Sequence, residues 1–184
     1  MSPMDFEKAL AALLDGFEAR KIRCAAIGGF ALGLLGAPRA TLDLDFLVNK
    51  EDLSALDALM ASLGYARRYR SENVSQFAAV DDSLGCVDFL HAFRPVSRAM
   101  LGRAAPAPAP GGRRVLVLEA EDVIGLKVQA MANDPRRASK ETADIESLAQ
   151  ARGGKLDWGR LEEFYGLFHM DDRLRALKER FPDA

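Results

Sequence analysis

Two aspartates separated by one residue, Asp43-Leu44-Asp45, interrupt the otherwise apolar run Arg-Ala-Thr-Leu-Asp-Leu-Asp-Phe-Leu-Val over 39–48. As a strand over 41–48 the segment turns both carboxylates to one face and Leu42, Leu44 and Phe46 to the other. Like charges side by side repel and lose hydration, a poor arrangement for structure alone. A divalent cation removes the objection. Hard oxygen donors at this spacing suit magnesium, which keeps some waters and takes further ligands from phosphates. Asp88, in Cys86-Val87-Asp88-Phe89-Leu90, is another carboxylate inside a short apolar strand. If the two strands are neighbours, three carboxylates face one site. They could hold one or two magnesium ions, neutralise a triphosphate, and let Asp88 take the proton of an attacking hydroxyl. Taken alone, Asp88 reads equally well as an ordinary strand-end acid.

Other residues extend this chemistry. Gly28 and Gly29 follow a short strand and precede a helix. Glycine there either serves a plain turn or lets backbone amides approach phosphate at a helix amino terminus. Arg39, upstream of the acidic strand, could hold phosphate or pair with one of the acids. Lys127 lies in an apolar helix beside Val123, Ile124 and Val128. There it snorkels from the core edge or supplies compact positive charge to a phosphate. Arg136, Arg137 and Lys140 form a local basic patch, either a solvated helix start or a contact for nucleotide or RNA backbone. Trp158, Phe164, Tyr165 and Phe168 read first as packing of the terminal helices.

The elements that must position these groups follow from periodicity. Helices are expected over 5–19, 30–35, 53–63, 121–132, 137–151, 156–168 and 172–180, and strands over 22–27, 41–48, 65–69, 73–80, 85–90 and 113–118. Asp81-Asp82-Ser83 reads as a hairpin turn, and the Ala-Pro-Gly segment 104–112 as a loop or short linker. Helices and strands interleave to residue 118 and only helices follow, so the fold class is α+β, with a core over 1–118 and a C-terminal helical extension over 119–184 packed on it. Neither GxGxxG nor GxxxxGK[ST] is present. The chain has 184 residues and a formal charge of -2, so it carries no global basic footprint for nucleic acid. Two histidines are too few for a histidine-rich zinc site, and Cys24 and Cys86 read as reduced core thiols. Asp5 and Glu7 near the start and the lack of a long apolar run predict a cytoplasmic protein with no signal peptide and no membrane span.

The combination Gly28-Gly29, Arg39-x-Thr41-x-Asp43-x-Asp45 and Val87-Asp88-Phe89 resembles the polymerase-beta-type nucleotidyltransferase superfamily over about residues 20–150. Within it the chain resembles the AbiEii/AbiGii-like nucleotidyltransferase toxin family. The resemblance implies a nucleotidyltransferase-like mixed, twisted sheet flanked by helices, with Asp43 and Asp45 as metal ligands, Asp88 as the third acid on a neighbouring strand, Lys127 near the triphosphate and Asp144 as its orienting partner. It further implies an NTP donor, a hydroxyl acceptor in tRNA, other RNA, a protein or a small molecule, and a neutralising partner protein. A noncatalytic nucleotide-binding module and a phosphohydrolase using the same carboxylates are the competing expectations.

Overall fold

Asp5 opens the first helix by accepting a hydrogen bond from the Lys8 amide at 3.0 Å, and Lys21 closes it in a left-handed conformation. A computed structural model describes residues 5–37, 41, 43–153 and 155–182. The chain divides into two units, one of Met1–Leu34 with Ala40–Leu118 and one of Leu35–Arg39 with Glu119–Ala184.

The first unit holds helices α1 (Phe6–Arg20), α2 (Gly28–Leu34), α3 (Leu53–Ser62) and α4 (Pro95–Arg103) and strands β1 (Cys24–Ala26), β2 (Leu44–Asn49), β3 (Tyr65–Arg70), β4 (Val74–Ala79), β5 (Cys86–Ala92), β6 (Ala105–Ala109) and β7 (Arg113–Val117). They form one seven-stranded sheet in the order β3-β4-β5-β2-β1-β7-β6. The β2–β5 and β1–β7 pairs are parallel and the others antiparallel, so the sheet is mixed. Alternation puts Leu44, Phe46 and Val48 of β2 and Val87 and Phe89 of β5 on one buried face. Phe46 lies opposite Phe89 and stacks on it at 5.8 Å. Phe17 of α1 meets both rings edge-on, at 5.3 and 6.2 Å, and Phe77 of β4 meets Phe89 at 5.8 Å. Such edge and offset contacts add to the area term that drives burial. This aromatic block fixes the β2–β5 register, because a slip of one residue would turn every ring to the other face.

Two elements depart from expectation. Segment 104–112 is not a loop: β6 pairs antiparallel with β7 from Ala105 opposite Val117 to Ala109 opposite Arg113. Prolines 106 and 108 alternate with the alanines on this edge strand, so their missing N–H groups fall on the side without a neighbour. Gly111 and Gly112, at φ 72° and 71°, make the turn into β7. Helix α4 starts with Pro95 at its first turn and buries Met100 and Leu101, too narrow an apolar stripe to announce itself.

The second unit consists, among the described residues, of α5 (Ala120–Asn133), α6 (Ala138–Ala151), α7 (Trp158–Leu167) and α8 (Asp171–Arg180). Gly125 lets α5 approach α7 closely, since a Cβ there would stand 2.7 Å from the Phe164 ring. No helix among the described residues is long and apolar enough to cross a membrane.

Candidate active site

Strand β2 delivers Asp45 and β5 delivers Asp88. The two are directly opposite in the parallel pair, on the face away from the aromatic block. Parallel neighbours project to the same side, with their backbones about 4.8 Å apart. Both carboxylates are half-buried. Asp43 precedes β2 and is exposed, and its amide donates to Thr41 Oγ1 at 3.2 Å. From the other side β4 places Gln76 opposite Asp88, and Gln76 Nε2 donates to Asp88 Oδ2 at 2.8 Å. The Asp88 carboxyl is held above the ordinary carboxylate range. Burial disfavours its charge most, the Gln76 bond works the other way, and the Asp43 charge adds repulsion.

The glycine pair is pressed against these acids. Gly28 starts α2 at φ 62°, and a Cβ on it would lie 2.2 Å from Asp45 Oδ2. A Cβ on Gly29 would lie 2.9 Å from the Thr41 Cβ. No side chain fits at Gly28 without moving the Asp45 carboxylate. Arg39, expected to reach phosphate or an acid, lies outside the described residues.

Among the described residues no three His, Cys, Asp or Glu side chains stand together as a ready-made metal cage. The donor set nonetheless fits magnesium carried by a nucleotide. Magnesium uses one or two carboxylates and completes its octahedron with phosphate and water, which a dedicated all-protein cage would not require. Two acids at alternate positions facing a neighbour strand's acid offer that kind of open, hard-oxygen edge.

In the second unit the structure brings Lys127 and Asp144 together. Lys127 Nζ donates to Asp144 Oδ2 at 2.6 Å and to Glu141 Oε2 at 2.9 Å, with all three side chains buried. Arg137 also donates to Glu141, with Nη2 to Oε1 at 2.5 Å. Burial pushes the Glu141 carboxyl up, but the bonds and charges of Lys127 and then Arg137 outweigh it and hold it below its usual range.

Gln76 and Glu141 are the residues that the sequence reading missed. Glu141 precedes Asp144 by one helical turn, so a lysine inside an apolar helix facing that turn was the available signal. Gln76 carried none, because its partner depends on strand register.

Residues 4–165 match the family described as "Uncharacterised nucleotidyltransferase". The fold is similar to that of the antibiotic-resistance factor ANT(2'')-Ia in solution, at 17% identity over 94% of this chain and 95% of that one, with a TM-score of 0.68. ANT(2'')-Ia in complex with adenylyl-2''-tobramycin aligns at 16% identity over 95% and 97% of the two chains, TM-score 0.63. The lincosamide antibiotic adenylyltransferase LnuA with lincomycin bound aligns at 14% identity over 80% and 98%, TM-score 0.54. At these identities the likeness is one of fold. No curated protein matches the chain in sequence.

Proposed function

Since the chain belongs to the uncharacterised nucleotidyltransferase family, we propose that it moves a nucleoside monophosphate from an NTP to a hydroxyl acceptor and releases pyrophosphate. The observation that carries this reading is the in-register pair Asp45–Asp88, with Asp43 beside it and Gly28 closed against Asp45.

Asp43 and Asp45 are the residues that would hold magnesium together with the triphosphate, and Asp88 would border the same edge. The metal, when bound, offsets the negative charge of the triphosphate and of the departing pyrophosphate. The chain's own residues do the rest. Gly28 and Gly29 leave room for the phosphate chain to approach the backbone. Asp88, already inclined to hold a proton, accepts the hydroxyl proton as the acceptor oxygen bonds to the α-phosphorus. The bond from that phosphorus to the bridging oxygen breaks, and pyrophosphate leaves with the electron pair. Gln76 occupies Oδ2 of Asp88 and so directs Oδ1 toward the incoming hydroxyl. Within the second unit Lys127 spends two of its three donors on Asp144 and Glu141, and Asp144 orients the ammonium.

The test is incubation with each α-labelled NTP and magnesium, offered RNA, an aminoglycoside and a lincosamide, beside the Asp45→Asn variant. Label should move to one acceptor with the intact protein and fall about a hundred- to a thousandfold in the variant, the scale of a transition-state electrostatic group. Release of inorganic phosphate without labelled acceptor would replace this reading with hydrolysis. Magnesium-dependent NTP binding without turnover would replace it with a binding module.

A further inference from the structure

Strand β3 is the sheet edge nearest Asp88, and its sequence Tyr-Ala-Arg-Arg-Tyr-Arg is unusual for an edge. Its pairing with β4 runs regularly to Arg67 opposite Phe77 and resumes with Tyr69 opposite Gln76. Arg68 and Tyr69 therefore share one partner, Gln76, the signature of a bulge. The flanking arginines fix the faces. Arg67 Nη1 donates to Asp57 of α3 at 3.0 Å, and Arg70 donates to the same carboxylate at 2.8 and 2.6 Å. Both thus lie on the α3 side of the sheet. The bulged pair between them projects to the other side, which Gln76, Asp88 and Asp45 occupy. One row crosses four strands: Arg68 with Tyr69, then Gln76, Asp88 and Asp45. At about 4.8 Å per strand, the bulged pair sits about 10 Å from Asp88.

A charge on an edge strand guards against stray pairing, and Arg68 alone would suffice for that. A tyrosine left 52% exposed beside it works against that purpose. Resting on the nucleotidyltransferase reading above, we propose that Arg68, Tyr69 and Gln76 form the acceptor subsite, which takes an anionic, ring-bearing hydroxyl compound of the ribonucleotide type. The ring stacks on Tyr69, a phosphate meets the Arg68 fork, and the free hydroxyl reaches Asp88 beside the Gln76 amide. Arg67 and Arg70 are held by Asp57 on the α3 side, so on this face Arg68 is the cation of β3 that meets an anionic group of the acceptor.

The experiment measures binding and transfer together on the full chain. The probes are adenosine monophosphate and a short oligoribonucleotide, which separate a free nucleotide from an RNA end, with tobramycin as the polycation. Arg68→Gln and Tyr69→Ala should each weaken binding of the preferred anionic probe about tenfold, while Tyr69→Phe restores it. The KM for NTP should stay within about twofold, and both sites are exposed enough that melting should not move. Gln76→Glu, isosteric but unable to donate, should lower kcat with the NTP KM unchanged. Failure of both anionic probes to bind the intact protein, equal binding by the variants, or tighter binding of tobramycin each overturns the subsite. Variant-sensitive probe binding with no transfer from any NTP upholds the subsite and sinks the transferase reading. Transfer that ignores Arg68 and Tyr69 does the reverse.

Discussion

Gly28 links a backbone conformation to a carboxylate position. Its left-handed φ already costs a side chain about 1–2 kcal/mol, and the space a methyl group needs is filled by Asp45 Oδ2. Gly28→Ala should therefore lower transfer by at least about a hundredfold, a scale set by small displacements of reacting groups, while circular dichroism still reports a folded chain. Activity near that of the parent would mean that the Asp45 position is not critical. A second residue-scale feature lies on the aromatic face. Glu72 O can only accept, so His91 Nδ1 carries the proton in the bond between them at 2.8 Å. His91 Nε2 then accepts from Ser75 Oγ at 2.7 Å, and Ser75 Oγ accepts in turn from Arg70 Nε at 2.9 Å. Burial holds the His91 pKa below its ordinary 6.5; the Glu72 carbonyl opposes this, Arg70 and Lys50 add to it, and Asp57 opposes. The unfolded chain thus binds the proton first as pH falls, so stability is full above about 6.5 and declines as pH drops from there toward the folded pKa. Urea midpoints should fall between pH 7.5 and 5.5, with a shallower fall in His91→Gln. Parallel slopes would show that His91 is not the titrating group.

At the scale of elements, α5 and α6 are joined by buried charges. Removing Lys127 leaves Glu141 and Asp144 buried without the ammonium that bonds both. Lys127→Met should cost about 3–5 kcal/mol by urea unfolding, and adding Glu141→Gln should recover part of it through a favourable coupling. A cost below about 1 kcal/mol would instead show that the buried ion pairs do not hold α5 to α6. The same pair shows how far the sequence was legible. Lys127 and Asp144 were readable as partners through family resemblance, whereas Glu141 supplies an equal share of the bonding from the same helix turn. The strands were legible where aromatic and β-branched residues alternate, as in β2 and β5. Strand β6 was not, because Ala-Pro alternation reads as a linker until an edge position excuses the missing donors. The bulge in β3 was illegible for a related reason. It exists only in the pairing with β4, and pairing is a long-range property that no local pattern encodes.

For the whole molecule, function and stability should pull in opposite directions at Asp88. Its carboxyl binds a proton more tightly when folded than when unfolded. Stability from this group is therefore greatest at low pH and declines as pH rises through the raised folded value. At neutral pH the ionised Asp88 is a small liability, kept because a cation or a proton in transit would offset it. Asp88→Asn removes the charge and retains an oxygen for the Gln76 amide. It should raise the stability of the ligand-free protein at pH 7 by a few tenths of a kcal/mol, the scale of solvent-screened charge pairs, while transfer is lost. Nucleotide reverses the ranking. Magnesium and ATP at about a hundred times their Kd add roughly 2.7 kcal/mol to the folded state, a melting shift of about 5–10 °C for a chain of this size. Chelation should erase that shift, and Asp88→Asn should shrink it. Calorimetry of both proteins with and without magnesium and ATP reads all of these quantities at once. The idea fails if the variant melts lower without ligand, for then Asp88 serves the fold. It fails equally if the variant keeps the full ligand shift, for then the carboxylate has no part in holding the metal-bound nucleotide.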